Sequence, residues 1–227
     1  MRSSVLCFPK QTLVLISILC AITIQSMAQT KSSGNLPQYL FPGFTKGLVK
    51  MKAGKNYDAV LNYNMVTENM VMEKDGTLLD LTNMAAVDTI ILQYRRFVPF
   101  NEVFYEVLVN NSISFFIQHK CDLVSAGSPS GYGSTSQTSA IKNYSSVSSN
   151  SRIYNLEIPA DYTLNPSPVY WIRKGNTMFS FLNKRQFLKI FPEKNKEIEK
   201  FINQNRLKIE NLNDLIILGN YCNKVYK

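Results

Sequence analysis

The sequence predicts an α+β fold: an antiparallel β-rich meander, open barrel or sandwich, followed by a β-hairpin and a small C-terminal helical segment. Three observations carry this expectation. Residues 45–125 hold short apolar runs at period two, separated by polar turns. Residues 126–151 are dominated by Ser, Thr and Gly. Residues 183–227 change to the longer apolar period of helices.

The chain opens with Arg2 and Lys10, then an apolar stretch over 13–24, then Ser26-Met27-Ala28. A positive start, an apolar run too short for a membrane span and a small-x-small ending read as a secretory signal, residues 1–28, cut between Ala28 and Gln29. The competing reading is a lipoprotein box ending at Cys20; it fits poorly because Leu19 stands where a small residue is required. Residues 29–44 read as a flexible leader.

Strand candidates follow at 48–52, 57–66 and 69–73. In the second, Tyr57, Ala59, Leu61, Tyr63 and Met65 fall on one face, the alternation of a half-buried strand. Asp75-Gly76 then predicts a tight hairpin into 78–81, since both residues tolerate positive φ. Further candidates are 89–93, a short 96–98 stopped by Pro99, 103–109 and 113–119. No helix-length periodicity interrupts them, which argues against βαβ units.

Residues 126–151 cannot offset the entropy of ordering with apolar burial and read as a mobile surface loop. Tyr132 and Tyr144 are its candidates for contact chemistry. Residues 152–182 return to strands: one over 152–158, then a hairpin whose arms, 170–173 and 178–181, flank Lys174-Gly175-Asn176-Thr177. Trp171, the one tryptophan, is either a hairpin-face residue or a ligand platform. In 183–227, Asn183 with Gln186 resembles a capping box. Pro192 can open the next helix. Asn211 caps a third, with Leu215, Leu218, Cys222 and Val225 along one side.

Cleavage after Ala28 would leave 199 residues and lower the formal charge from +9 to +7. That length suits one domain, or two small ones. The mild basic charge would favour an anionic envelope surface or acidic polymer, or simply keep the protein dispersed. No later apolar run approaches a spanning length, so no transmembrane segment is expected after signal removal. Cys121 and Cys222 would remain, 101 positions apart. They could pair in an oxidising compartment, but Cys222 lies on a helical apolar stripe, where a free buried thiol is the ordinary reading.

Catalytic and metal motifs are weak. His119 is the single histidine. With Cys121 it falls on one side of the predicted strand, yet no further Cys or His stands near enough in sequence to complete a structural zinc set. No carboxylate pair is recognisable, and Gly47 with Gly54-Lys55 is spaced too widely for a phosphate loop. Aromatics interleave with cations at Tyr94-Arg95-Arg96-Phe97 and Tyr170-Trp171-Ile172-Arg173. Such runs can stack on and neutralise nucleic acid, a ligand an exported protein rarely meets. No catalytic residue, cofactor or metal is therefore expected.

The segments YDAVLNYNMVTENMVM, RRFVPFNEVFYEVL, SGYGSTSQTSAIKNYSS and QFLKIFPEKNKEIEKFINQNRLKIENLNDLIILGNYCN resemble a group of uncharacterised exported proteins of Bacteroidota-type bacteria. The resemblance spans the mature chain and implies a Gram-negative envelope setting; it carries no activity and no functional residues. In that setting Asp88-Thr89-Ile90 is similar to a three-residue O-glycosylation signal. The expectation is a periplasmic or cell-surface module, non-enzymatic, binding an envelope protein or polymer. The rivals are a hydrolase acting on an envelope polymer and a self-associating structural component.

Overall fold

The computed structural model describes residues 37–81, 83–125, 128–129, 135–136 and 162–226. Ala28, Gln29, Tyr132, Tyr144 and the predicted strand at 152–158 lie outside them. The strands are β1 (Thr45–Met51), β2 (Tyr57–Asn64), β3 (Asn69–Lys74), β4 (Thr77–Asp80), β5 (Val87–Leu92), β6 (Arg95–Phe100), β7 (Val103–Val109), β8 (Ile113–Gln118), β9 (Cys121–Ser125), β10 (Ser128–Pro129), β11 (Thr135–Ser136), β12 (Tyr162–Pro166), β13 (Val169–Lys174) and β14 (Thr177–Phe181). The helices are α1 (Lys184–Lys189), α2 (Asn195–Gln204) and α3 (Leu212–Val225).

Ten strands form one antiparallel sheet in the order β14-β13-β8-β7-β6-β5-β1-β2-β3-β4. β9 pairs with β12, and β10 with β11, in separate two-stranded ladders. The fold is therefore α+β, a β-rich meander with a helical C-terminus. Two departures from a plain meander shape it. β1 inserts between β2 and β5, and the β13–β14 hairpin adds onto β8.

One face of the sheet carries both apolar cores. Directly paired residues share a face, and the pairs Phe181↔Tyr170, Tyr170↔Ile117, Ile117↔Glu106, Glu106↔Phe97, Phe97↔Ile90 and Ile90↔Val49 trace it across seven strands. At the β14 end, Phe115, Ile117, Tyr170, Ile172 and Phe181 are covered by Phe187, Phe191, Ile198, Ile202, Leu215, Leu218 and Cys222 from the helices. At the other end the sheet curls over Val49, Leu61, Tyr63, Met70, Ile90, Leu92, Phe97 and Phe104. In a flat sheet β2 and β7 would stand about 19 Å apart. Here the Tyr63 hydroxyl of β2 reaches the carbonyls of Phe104 (3.2 Å) and His119 (3.0 Å). The Phe104 N–H also donates to the Glu68 carbonyl at 3.1 Å. The curl is an open barrel.

The structure alters several local expectations. Residues 37–44, assigned from composition to the leader, are docked: Leu40 N–H donates to the Tyr63 carbonyl and Phe41 is buried beside Phe97. β6 does not stop at Pro99 but runs to Phe100, with Pro99 opposite Phe104. Its hairpins turn on Gln93-Tyr94 and Asn101-Glu102, all four with φ between 47° and 66°. Without glycine these turns carry little sequence signal beyond Asn101, although both residues of a type I′ turn need positive φ. Asp75-Gly76 (φ 53° and 75°) and Gly175 (φ 58°) turn where expected.

The helices follow their signals closely. Asn183 accepts from the Gln186 N–H at 2.9 Å, and Gln186 Oε1 accepts from the Leu182 N–H at 2.7 Å. Pro192 opens a single 3₁₀ turn before α2. Asn211 accepts from the Asp214 N–H at 3.1 Å. α3 is then tied to the sheet through Asn223, which accepts from the Ile113 N–H (2.9 Å) and donates to the Ile113 (2.7 Å) and Gly219 (2.9 Å) carbonyls. A Cβ on Gly219 would lie 2.9 Å from Val109 Cγ2 and 3.0 Å from Phe115, so only glycine lets α3 sit this close. No helix among the described residues is long and apolar enough to cross a membrane.

Tyr94 sits fully exposed at φ 66°, so Tyr94→Gly is expected to stabilise the fold by about 0.5–1 kcal/mol in thermal or chemical denaturation. Gly219→Ala is expected to destabilise it by about 1–3 kcal/mol in the same measurement, because the helix must move off Val109 and Phe115.

Candidate ligand-binding groove

The two faces of the sheet do different chemical work. Beneath it, where the barrel meets the helix-covered half, lies a buried polar seam. Arg95 at the start of β6 donates Nε–H to Glu106 Oε1 at 2.7 Å, and its Nη2 forms an ion pair with Oε2. His119 Nε2 lies 2.7 Å from Glu106 Oε2. That contact assigns Nε2–H as the donor to the carboxylate, and Arg95 Nη2 at 2.9 Å from the same nitrogen is then a close neighbour only. The Arg95 guanidinium stacks over the rings of Phe41 and Phe97. Burial alone would raise the Glu106 carboxyl, but the hydrogen bonds and charges of Arg95 and His119 outweigh it and hold the group below the usual carboxylate range.

A second chain of contacts links the curled half of the sheet to the opposite face. Glu68, buried at φ 60° in the β2–β3 turn, pairs with Lys120 at 3.3 Å and accepts from Gln118 Nε2. Gln118 Oε1 in turn accepts from Trp171 Nε1 at 2.9 Å. The Trp171 ring meets Tyr105 edge-on at 5.9 Å, and Tyr105 meets Phe100 at 6.0 Å. The aromatic band on the open face is thus anchored by a carboxylate from the curled half. Burial, with the Glu68 charge adding to it, raises the Tyr105 hydroxyl above its ordinary range, so it stays a neutral donor.

On that open face the strands lay out a groove of about 410 Å³. Alternation along β6 puts Arg96, Val98 and Phe100 on this side, while Arg95 and Phe97 face the seam. Val98 pairs with Tyr105, Val107 with Phe116, and Ser114 with Arg173. The walls carry three cations, Lys52, Arg96 and Arg173, against one carboxylate, Asp88. All four are exposed. Arg173 lies over the Phe116 ring and donates to Ser114 Oγ at 3.4 Å. Asp88 accepts from Thr89 Oγ1 at 2.9 Å. Lys52 and Arg96 form no ion pair with any described residue. The groove offers exposed positive charge around a mostly buried apolar floor, chemistry suited to an anion.

The residues singled out from sequence fall in different places. Trp171 is half-buried and backs the groove through Tyr105. His119 does not share a strand with Cys121: it sits in the break between β8 and β9, its ring turned to Glu106. Cys121 and Cys222 are free thiols. Burial pushes Cys121 to about 11, with Asp122 adding to it, and Cys222 to about 12, so both are neutral at ordinary pH. No group of metal-ligating side chains stands together among the described residues. Thr89 of the Asp88-Thr89-Ile90 triplet lies on the groove wall, while Ile90 is fully buried in the core. Arg96 and Arg173 belong to the two aromatic–basic runs noted in the sequence. Alternation places only part of each run on this face, and pairing through β7 and β8 joins the parts.

Comparison of the chain with family models, curated proteins and solved structures yields no match to any of the three.

Because Glu106 is held ionised in the fold, its stabilisation is complete above the unfolded carboxylate range near pH ~4.3 and is lost as pH falls through its lower native value. Wild type is therefore expected to lose stability on acidification through this window. Glu106→Gln should flatten that slope, measured as urea midpoint against pH, and should cost about 3 kcal/mol at pH 7 by leaving Arg95 without its buried partner.

Proposed function

We propose that this protein is an exported, non-enzymatic binding module of the bacterial envelope that takes an anionic partner on the open face of its sheet. The observation that carries this reading is the groove, in which Lys52, Arg96 and Arg173 surround Val107 and Phe116 with only Asp88 to offset them. The signal-like first 28 residues and the resemblance to exported proteins support the setting.

The groove also separates this reading from a hydrolase. Acid–base hydrolysis of a glycan needs two carboxyls facing one bond, and one carboxylate lines the groove. His119 is committed to Glu106 on the opposite face, and neither cysteine is a thiolate. The geometry supports holding a ligand more than cleaving one.

The test is binding of fractionated envelope material to the immobilised mature protein, beside an Arg96→Glu/Arg173→Glu variant. Both side chains are exposed, so the variant is expected to fold, which circular dichroism checks. Retention of an anionic component by wild type, reduced at least tenfold in the variant, is the expected result. Equal retention by both, or a fully cytoplasmic location of the native chain on cell fractionation, would contradict the proposal.

A further inference from the structure

Resting on that reading of the groove, we propose that its ligand is a carboxylate-bearing polysaccharide chain, laid across the strands between Arg96 and Arg173. β6 and β13 are three strand steps apart, about 14 Å in a flat sheet. The two guanidiniums therefore guard separate ends of the groove and suit a ligand with repeated charges better than one with a single anionic group. A guanidinium pairs with a carboxylate through two parallel hydrogen bonds. Between the arginines the floor is Val107; Phe116, beneath the Arg173 guanidinium, and Tyr105 are buried under it, and the Phe100 ring stands 44% exposed alongside. The exposed ring of Phe100 offers an apolar face that matches the C–H face of a sugar ring. Asn110 and Thr89 on the walls, with the Asp88 carboxylate, provide donors and acceptors for hydroxyl groups.

The same geometry disfavours an extended peptide. Peptides that bind sheets by strand addition use free backbone N–H and C=O groups at an edge. Most of the groove lies over the interior strands β5, β6, β7, β8 and β13, whose backbone groups are engaged in ladders on both sides; the edge strand β14 contributes the side chain of Met178. Recognition here runs through side chains alone, and these are cationic and aromatic.

Affinity electrophoresis of the mature protein in gels containing polygalacturonate, neutral dextran or single-stranded oligo-dT tests this. Four proteins are run: wild type, Arg96→Ala/Arg173→Ala, Phe100→Ala, and Lys196→Ala/Lys200→Ala. The last removes two exposed charges from α2, away from the groove. Wild type and the lysine variant should be retarded equally by polygalacturonate and not by dextran. The arginine pair should weaken retardation at least tenfold, and Phe100→Ala about threefold. Equal loss in the lysine and arginine variants would overturn the proposal by showing diffuse charge attraction. Stronger retardation by oligo-dT than by polygalacturonate would overturn it in favour of nucleic acid. Absence of polygalacturonate binding, with arginine-dependent capture of an envelope component intact, would overturn the saccharide assignment and leave the proposed function standing. Loss of both would remove both.

Discussion

Everything in this molecule depends on a carboxylate buried where two halves of one sheet meet. Glu106 occupies a position in the pairing path that runs from Phe181 to Val49, so it stands on the apolar face with a core on either side. An unpaired charge there would cost several kcal/mol. Arg95 and His119 remove that cost only if β6, β7 and the end of β8 hold their relative positions. Tyr63 adds a constraint from four strands away, because its hydroxyl reaches carbonyls in β7 and beside β8. A nonspecific hydrophobic collapse would bury the same phenylalanines without requiring this geometry. The polar seam makes the curl specific.

A second buried carboxylate shapes the opposite face. Glu68, from the curled half, holds Gln118, and Gln118 holds the indole of Trp171, which packs on Tyr105. Tyr105, under the groove, is therefore backed by a chain of contacts that starts in the curled half. The barrel half and the hairpin half thus meet at Trp171 and Tyr105, which are packed in place on the open face.

Much of the strand layout was legible in the sequence, for a clear reason. Period-two alternation, Asp75-Gly76 and Gly175 act locally, and so do the caps Asn183 and Asn211. The failures were also physical. Gln93-Tyr94 and Asn101-Glu102 adopt positive φ without glycine, and Asn101 alone is too weak a signal, so the sequence does not mark their hairpins or the extent of β6. Proline ended the predicted strand at 99, yet tertiary pairing carried β6 past it. The place of β1 between β2 and β5 is a nonlocal choice that no short pattern records. The groove was half visible. Both aromatic–basic runs could be seen, but only the ladder through β7 and β8 shows which arginine of the first run meets which residue of the second. Sequence spacing set His119 beside Cys121, whereas its observed partner, Glu106, lies on a neighbouring strand.

The central claim is that one continuous sheet, joined at Glu106, makes the barrel and the helix-covered half a single cooperative unit. Differential scanning calorimetry of residues 29–227 at neutral pH tests this most directly. The account predicts one transition whose calorimetric and van't Hoff enthalpies agree. Two resolved transitions, or a calorimetric enthalpy well above the van't Hoff value, would show that the halves melt independently and would contradict it.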